Sequence, residues 1–188
     1  MRKIIKLGII LLVITAVTGF VLGGVYTATL KPIAEAKQKS LTKTLEETVP
    51  NATKFTESNK ENSAFTKLYE ARDTSGAIVG FNFVTETKGF GGLIELIVGV
   101  SHGRVTGVRV LSHSETPGLG ARAAETDEGS FINEFTNRLA TTFRVVKEAS
   151  ENEADILAIS GATITSRAVT NAVNRVVEYY NANLKEEK

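Results

Sequence analysis

The first apolar segment of the chain is long and carries no charge. Residues Leu7–Leu30 contain no Asp, Glu, Lys or Arg, and a helix that crosses a bilayer needs about 20 predominantly apolar residues. Basic residues precede the segment, and Lys31-Pro32 ends it. The length favours an uncleaved membrane anchor over a cleaved signal peptide, since no small-x-small cleavage site follows the apolar run. Lys and Arg are nearly balanced on the two sides, so charge alone leaves the orientation open.

A helical period follows the anchor, from Pro32 to about Val49. Proline suits the first turn of a helix, and apolar residues recur after it at helical spacing. Residues Asn51–Ser63 are polar and predict an exposed connection. We therefore expect residues 1–30 to form a membrane anchor with a short basic N-terminus, residues 31–63 a helical stalk and linker, and residues 64–188 a folded domain.

Four segments rich in β-branched and aromatic residues predict strands at the start of this domain. The sequence between them supplies turn residues at Asp73–Gly76 and at Ser101–Gly103. Connections of this length join antiparallel neighbours, whereas parallel strands need a long crossover. The four predicted strands are Phe65–Ala71, Ala77–Thr85, Leu93–Val100 and Val105–Leu111.

Helical periods dominate the last third of the chain. Residues Glu125–Ala140 predict a helix with four apolar residues on one face, and Ile156–Ile159 predicts a short strand. A final helix begins near Thr165 or Ser166. Because strands come first and helices lie at the ends, we predict an α+β fold with a mainly antiparallel sheet flanked by helices. The apolar stripe of the final helix consists of Ala168, Val169, Ala172, Val173, Val176, Val177 and Tyr180.

Composition excludes several classes of function. Lys and Arg number 22 against 21 Asp and Glu, so no strong positive field attracts nucleic acid, and we predict no nucleic-acid partner. The chain has no Cys, which excludes disulfides, iron–sulfur clusters, thiol catalysis and thiolate zinc sites. Its two His residues leave little for a metal site, and we predict none. Redox work by such a chain requires a bound organic cofactor.

The segment Ser160–Ser166, between the short strand and the final helix, is the first candidate site. Gly161 allows a ligand to approach the backbone closely, and Ser160, Thr163 and Thr165 present hydroxyls. A helix start offers unpaired N–H groups and the positive end of the macrodipole, which favour a phosphate. The same residues are ordinary helix caps, so spacing alone leaves ligand binding and capping both open. The Gly-Lys-Ser/Thr of a P-loop and the Gly-x-Ser-x-Gly of a nucleophile elbow are absent.

A loop of Pro and Gly after the last of the four strands is the second candidate site. Residues Glu115–Gly120 read Glu-Thr-Pro-Gly-Leu-Gly, which is typical of a simple turn and also of backbone that folds closely over a flat ring. His113 and Glu115 can share one face of the strand end, but two ligands do not make a metal site. A third glycine-rich corner, Lys88–Gly92, favours a bulge or a hairpin over a binding site.

Together these motifs resemble the FMN-binding G subunit of Rnf electron-transport complexes, and the C subunit of the sodium-translocating NADH:quinone reductase is similar. The resemblance covers nearly the whole chain, including the anchor and the corner Gly89–Gly92. Its most specific part is the pair Glu115–Gly120 and Ser160–Thr163, in this order and ahead of a final helix. The short chain favours the Rnf protein over its longer relative.

The resemblance implies that residues 64–188 form an FMN-binding domain. In this family a flavin transferase moves FMN from FAD onto a threonine hydroxyl as a phosphoester; the matching residue is Thr163, with Thr165 the nearest competitor. The family's modification signal usually places Asp six residues before the threonine, where this chain has Leu157, with Asp155 two residues earlier. The other residues expected to bind FMN are Ser160, Gly161, Ala162, Thr165, Glu115, Thr116, Pro117, Gly118, Leu119 and Gly120.

The resemblance also implies a role as an electron relay without catalytic residues of its own. Other membrane subunits of the complex would pass electrons between ferredoxin and NAD and translocate ions, because one helix cannot form an ion channel. The expected location is the cell (inner) membrane, single-pass, with the soluble domain extracytoplasmic. Three alternatives stay open: the C-type protein of the quinone reductase, a membrane-anchored non-redox ligand-binding or sensor domain, and a hydrolase that uses Ser160, for which only His102 and His113 exist as bases.

Overall fold

The computed structural model describes residues 2–185, which divide into two compact units between Thr42 and Lys43. The first unit lies within helix α1 (Arg2–Thr48). The large apolar side chains of this unit are exposed. Among the described residues, α1 is the one helix that is long and apolar enough to cross a membrane. Pro32 lies inside α1, so the predicted stalk helix is continuous with the anchor helix.

The second unit is built on a six-stranded antiparallel sheet, and the predicted fold class is confirmed. Consecutive strands are neighbours throughout, in the order β1-β2-β3-β4-β5-β6. The four predicted strands correspond to β2 to β5, and the predicted turns join them; His102 and Gly103 hold φ values of 49° and 72° in the second turn. The strands are β1 Lys54–Ser58, β2 Lys67–Arg72, β3 Ile78–Lys88, β4 Leu93–Ser101, β5 Arg104–Ser112 and β6 Arg138–Leu139.

Strand β1 lies within the segment that was expected to be an exposed connection. It pairs with β2 from Lys54 opposite Arg72 to Ser58 opposite Leu68. Because β1 is at the edge of the sheet, its side chains are exposed or half-buried, and such a strand needs no alternation of apolar residues. The prediction of a linker at these positions is therefore wrong, while the functional division into anchor, stalk and domain stays a prediction.

Helix α2 (Thr163–Asn183) covers one face of the sheet and supplies much of the core. Every residue of its predicted apolar stripe is buried. Phe65 meets the ring of Tyr179 edge-on at 4.8 Å between centroids, and Phe83 is fully buried in the same cluster. Burial of one such apolar side chain contributes roughly 1.5–3 kcal/mol, so the packing of this helix contributes strongly to the stability of the domain.

The last turn of α1 packs on the other face of the sheet, within the second unit. The Thr48 hydroxyl donates to Asn82 Oδ1 at 2.7 Å, and Asn82 Nδ2 donates to the carbonyl of Leu45 at 3.1 Å. All three residues are buried. A Cβ on Gly99 would lie closer than 3.0 Å to the Thr48 carbonyl oxygen. Glycine at this position therefore lets the end of α1 approach the sheet.

The predicted helix over Glu125–Ala140 is wrong. The structure has a 3₁₀ helix, Phe131–Phe135, followed by the short strand Arg138–Leu139. Gly129 and Asn137, with φ of 79° and 62°, hold left-handed backbone on either side of the 3₁₀ helix, which an α-helix does not tolerate. The three apolar residues of the 3₁₀ helix are nevertheless buried, and they produced the helical pattern in the sequence.

A second, two-stranded sheet leads into α2. Strand β7 (Arg144–Val146) pairs in parallel with β8 (Asp155–Leu157), which overlaps the predicted strand Ile156–Ile159. The Arg144 guanidinium forms an ion pair with the carboxylate of Asp155. This hydrogen bond is the main cause that lowers the pKa of Asp155 below its ordinary value of 3.8. The ion pair therefore joins the side chains of two residues that face each other in the register of the strands, just before the loop at Ser160.

Candidate functional site

A cavity of about 410 Å³ lies where three segments of the second unit meet. The segments are the hairpin loop between β3 and β4, the loop after β5, and the start of α2. Both loops of the most specific sequence motif therefore border one concave surface. The cavity is lined by Phe90, Glu115, Thr116, Leu119, Gly120, Gly161, Ala162, Thr163, Ile164 and Thr165.

Three of the predicted site residues lie outside this lining. Ser160 is exposed, and Pro117 and Gly118 form the middle of a turn that the N–H of Leu119 closes by donating to the carbonyl of Thr116 at 3.2 Å. Gly118 has φ of 76°, the value that a type II turn requires after proline. Pro117 and Gly118 thus shape the loop, while Leu119 and Thr116 face the cavity.

Thr163 is the first residue of α2, two positions earlier than the sequence predicted. Its side chain is half-buried and lines the cavity, and its hydroxyl forms no hydrogen bond to another group of residues 2–185. The first N–H groups of a helix have no intrahelical acceptor. At the start of α2, the first backbone hydrogen bond of the helical type runs from the N–H of Ser166 to the carbonyl of Ala162 at 3.0 Å. A free hydroxyl therefore stands beside backbone donors that favour an anion.

The other two hydroxyls at the start of α2 are engaged in the fold. The Thr165 hydroxyl is buried and donates to Glu115 Oε2 at 2.7 Å. The Ser166 hydroxyl donates to the carbonyl of Ala162 and accepts from the N–H of Ile159, both at 3.0 Å. In the described chain no side chain caps α2, whose N-cap residue is Ala162, so the capping role considered for these hydroxyls is not the one they have; Ser166 instead joins the helix to the preceding loop, and the Thr163 hydroxyl is left available to a ligand.

The carboxylate of Glu115 is buried at the centre of the site. Glu115 Oε1 accepts from the N–H of Gly91 at 2.9 Å, and the backbone N–H of Glu115 donates to His113 Nδ1 at 3.2 Å. A Cβ on Gly89 or Gly120 would lie closer than 3.0 Å to a carboxylate oxygen of Glu115. These glycines therefore make room for the carboxylate between the loops.

The corner Lys88–Gly92 is a hairpin, as the sequence indicated, and it also borders the site. The N–H of Gly89 donates to the carbonyl of Gly92 at 2.8 Å, which closes the loop, and Phe90 at its tip lines the cavity. Sequence reasoning missed this contribution. The signal was Phe90 itself, an aromatic residue that lies between glycines and outside both neighbouring strands.

Exposed apolar side chains form the rim of the cavity. Phe90 is 72% exposed, Ile164 57% and Leu119 46%. Small-molecule sites are typically concave and mostly apolar with a few placed polar groups, and clustered exposed apolar residues mark such sites or protein interfaces. The rim suits a ligand with a flat aromatic ring, and the helix start at Thr163 suits a phosphate group on the same ligand.

The residues considered for metal binding or hydrolysis are used differently. Within residues 2–185 no group of three or more His, Cys, Asp or Glu side chains could hold a metal ion. Among the described residues, Ser160 forms no hydrogen bond to His102 or His113. The Nδ1 of His102 instead lies 2.7 Å from the hydroxyl of Ser101. The arrangement therefore offers Ser160 no general base.

Comparisons with known proteins point to one family. A family model described as the FMN-binding domain matches residues 89–178, and one described as the RnfG N-terminal region matches residues 1–48. The G subunit of the proton-translocating ferredoxin:NAD(+) oxidoreductase complex of Clostridium ljungdahlii is 38% identical over 164 residues, which cover 86% of this chain and 83% of that protein. The G subunit of the Na(+)-translocating complex of Acetobacterium woodii is 32% identical over 195 residues, covering 95% and 92%.

A solved structure shares the fold. The crystal structure of NqrC from Shewanella oneidensis matches with a TM-score of 0.50 and 21% sequence identity, over 70% of this chain and 69% of that one. At this identity the likeness concerns the fold alone.

Proposed function

This chain belongs to the family of Rnf complex G subunits, and on that premise we propose that it is an electron-relay subunit of a membrane ion-translocating ferredoxin:NAD oxidoreductase that carries FMN covalently on Thr163. One observation supports the attachment site above all. Thr163 combines a hydroxyl without a partner in the described chain, a position on the cavity wall and a place in the first turn of α2.

Attachment would use FAD as the donor and a flavin transferase as the catalyst. The Thr163 hydroxyl oxygen forms a bond to the phosphorus of the FMN half, the bond from that phosphorus to the AMP oxygen breaks, and the hydroxyl proton is released. The product is a phosphodiester with one negative charge, which the positive end of the α2 dipole stabilises by about 0.3–1 kcal/mol. Thr165 is the weaker candidate, because it is 1% exposed and its hydroxyl is held in the buried position by Glu115.

The cavity residues fit the two parts of FMN. The backbone N–H groups at the start of α2 would hold the phosphate, and the apolar rim of Phe90, Leu119 and Ile164 would face the ring. Bound FMN supplies the redox chemistry by accepting and releasing electrons. These side chains would exclude water from one side of the ring and hold it near the surface, where another protein of the complex could approach.

The proposed partners are other membrane subunits of the complex, the flavin transferase and the membrane itself. Helix α1 would span the cell membrane once, with the domain on the extracytoplasmic side. A single helix lines no pore, so ion translocation belongs to other subunits. A membrane-anchored domain that binds an unmodified ligand would use the same cavity, but its ligand would dissociate in denaturant.

Thr163→Val tests the proposal, because valine has nearly the shape of threonine without the hydroxyl. After co-expression with the transferase, we expect the wild-type chain to keep its flavin fluorescence on a denaturing gel and Thr163→Val to lose it. Thr163→Ser retains a hydroxyl and is the matched control. Full fluorescence of Thr163→Val would move the attachment to another residue, and a non-fluorescent wild-type band would contradict the covalent flavin.

The departure at Leu157 has its own test. Leu157 is exposed at the end of β8, whereas Asp155 is buried in its ion pair with Arg144, so Asp155 is a poor substitute for a signal that the transferase reads. We expect Leu157→Asp to raise the fraction of the chain that carries FMN, measured by intact mass at limiting transferase. An unchanged fraction would mean that position 157 takes no part in recognition.

A further inference from the structure

The carboxylate of Glu115 connects the three segments that form the cavity. Glu115 belongs to the loop after β5, its Oε1 accepts from the N–H of Gly91 in the hairpin loop, and its Oε2 accepts from the Thr165 hydroxyl in α2. The side chain is 7% exposed. Hydrogen bonds to a carboxylate are stronger than those between neutral groups, so this side chain links the three segments through two charge-assisted bonds.

We propose that Glu115 is a positioning residue that holds the three cavity segments together and keeps the Thr165 hydroxyl from competing with that of Thr163. This inference rests on the proposed function, since it concerns the choice of the threonine that receives FMN.

The competition follows from the geometry of the helix start. Thr163 and Thr165 both line the cavity and lie two residues apart in the first turn of α2. A hydroxyl has one proton to donate, and that of Thr165 is donated to Glu115. Thr165 is 1% exposed, and this bond holds its hydroxyl in the buried position, so its oxygen reaches the FMN phosphorus, with release of AMP, only when the bond breaks and the side chain rotates. Thr163 has no such bond to break.

The second effect of Glu115 is on the hairpin loop. Its bond to the N–H of Gly91 holds the residue next to Phe90, which lies at the rim of the cavity. Gly89 and Gly120 leave space for the carboxylate on two sides, since a Cβ at either position would collide with it. Loss of the carboxylate therefore frees the loop that carries the most exposed apolar side chain of the rim.

Glu115→Gln is the central variant, because it keeps the size of the side chain. Its oxygen can still accept from Gly91, but its NH₂ group offers the Thr165 hydroxyl only a neutral hydrogen bond in place of the charge-assisted one, so the hydroxyl leaves its buried position more often. In the full chain co-expressed with the transferase, we expect peptide mass spectrometry to show the ratio of FMN on Thr165 to FMN on Thr163 raised by about tenfold, because the bond that holds the Thr165 hydroxyl is weaker.

Two further variants separate the effects. Glu115→Gln combined with Thr165→Val removes the competing hydroxyl and should restore attachment to Thr163 alone. Thr165→Val by itself removes the hydroxyl that donates to Glu115. FMN should stay on Thr163 in this variant, but iodide should quench the flavin more than in the wild type, because the cavity wall is looser. This variant also keeps the test decisive if Glu115 variants fail to fold.

Asn82→Ala is the matched control, since Asn82 is also buried and also joins two segments, but on the opposite face of the sheet. It should leave both the attachment site and iodide quenching as in the wild type. Attachment to Thr163 alone in Glu115→Gln, or wild-type quenching in Thr165→Val, would overturn the inference, as would an Asn82→Ala effect equal to that of Glu115→Gln. A wild-type chain without covalent flavin would instead refute the proposed function.

Discussion

At the scale of single residues, the glycines around Glu115 have a steric explanation. Gly120 lies against both partners of the hydrogen bond between Glu115 and Thr165. A Cβ on Gly120 would lie 2.8 Å from the Thr165 hydroxyl oxygen and closer still to a carboxylate oxygen of Glu115. Gly118, two residues earlier, has open space around it and needs glycine only for its φ of 76°. Two glycines of one motif thus serve different purposes.

Gly120→Ala should therefore destabilise the domain and disturb the site. Forcing a methyl group into a filled space costs typically about 1–3 kcal/mol, and here it also pushes apart Glu115 and Thr165. Denaturant unfolding of the detergent-solubilised chain, followed by near-UV circular dichroism, measures the loss. Gly118→Asn is the control, because Asn tolerates left-handed backbone; equal losses for the two variants would contradict the steric explanation.

At the scale of elements, the sequence predicted those that are deeply buried. Strands β3 and β4 are buried over continuous runs, with α2 on one face and the end of α1 on the other, so their apolar residues form dense runs in the sequence. The edge strand Lys54–Ser58 buries little and shows no such pattern. The false helix at Glu125–Ala140 arose because Phe131, Ile132 and Phe135 have helical spacing. Left-handed backbone at Gly129, in a turn closed by the N–H of Ser130 and the carbonyl of Asp127, and at Asn137 limits the helical segment to the residues between them.

The hairpin between β3 and β4 should control access to the cofactor. Phe90→Ser removes the aromatic ring from the rim, and aromatic contacts of this kind contribute about 0.5–1.5 kcal/mol, so we expect iodide quenching of the attached flavin to rise several-fold while attachment to Thr163 persists. Leu139→Ser is a suitable control, because Leu139 is 50% exposed and lies outside the cavity lining. Equal quenching in both variants would separate Phe90 from the flavin.

The two strands β7 and β8 should respond to acid. Because the bond from Arg144 lowers the pKa of Asp155 in the folded chain, its stabilising contribution is complete above the ordinary value of 3.8 and is lost as the pH falls through the lower folded value. The melting temperature of the wild type should therefore fall more steeply below about pH 4 than that of Asp155→Asn. Parallel curves for the two proteins would show that the ion pair contributes no pH dependence.

At the scale of the whole molecule, the site combines residues that are distant in the sequence. The loop after β5 and the start of α2 were both recognised as candidates, since each carries a specific motif. Their contact through Glu115 and Thr165, 50 positions apart, depends on the order of the strands and on the packing of α2. The hairpin loop at Phe90 was missed as part of the site, because the aromatic residue between its glycines was interpreted only as part of a turn, while its place beside the other two segments depends on the fold.

The side of the membrane on which the domain lies can be tested because the chain has no Cys. Asn59→Cys places a thiol on an exposed position of the second unit, and Lys3→Cys places one near the other end of α1. In intact cells a membrane-impermeant maleimide should label Asn59→Cys and leave Lys3→Cys unlabelled, because only an extracytoplasmic thiol is reachable. The reverse pattern would place the domain in the cytoplasm.

Helix α2 follows every strand in the described chain, and it both completes the core and presents Thr163. A nascent polypeptide consequently has all of its sheet before it has the threonine that we propose as the flavin acceptor. Under that proposal, cofactor loading would be a late checkpoint: a protomer whose last helix has not docked would offer the transferase neither a closed pocket nor a fixed acceptor. Colour would in this way report completed folding as well as maturation.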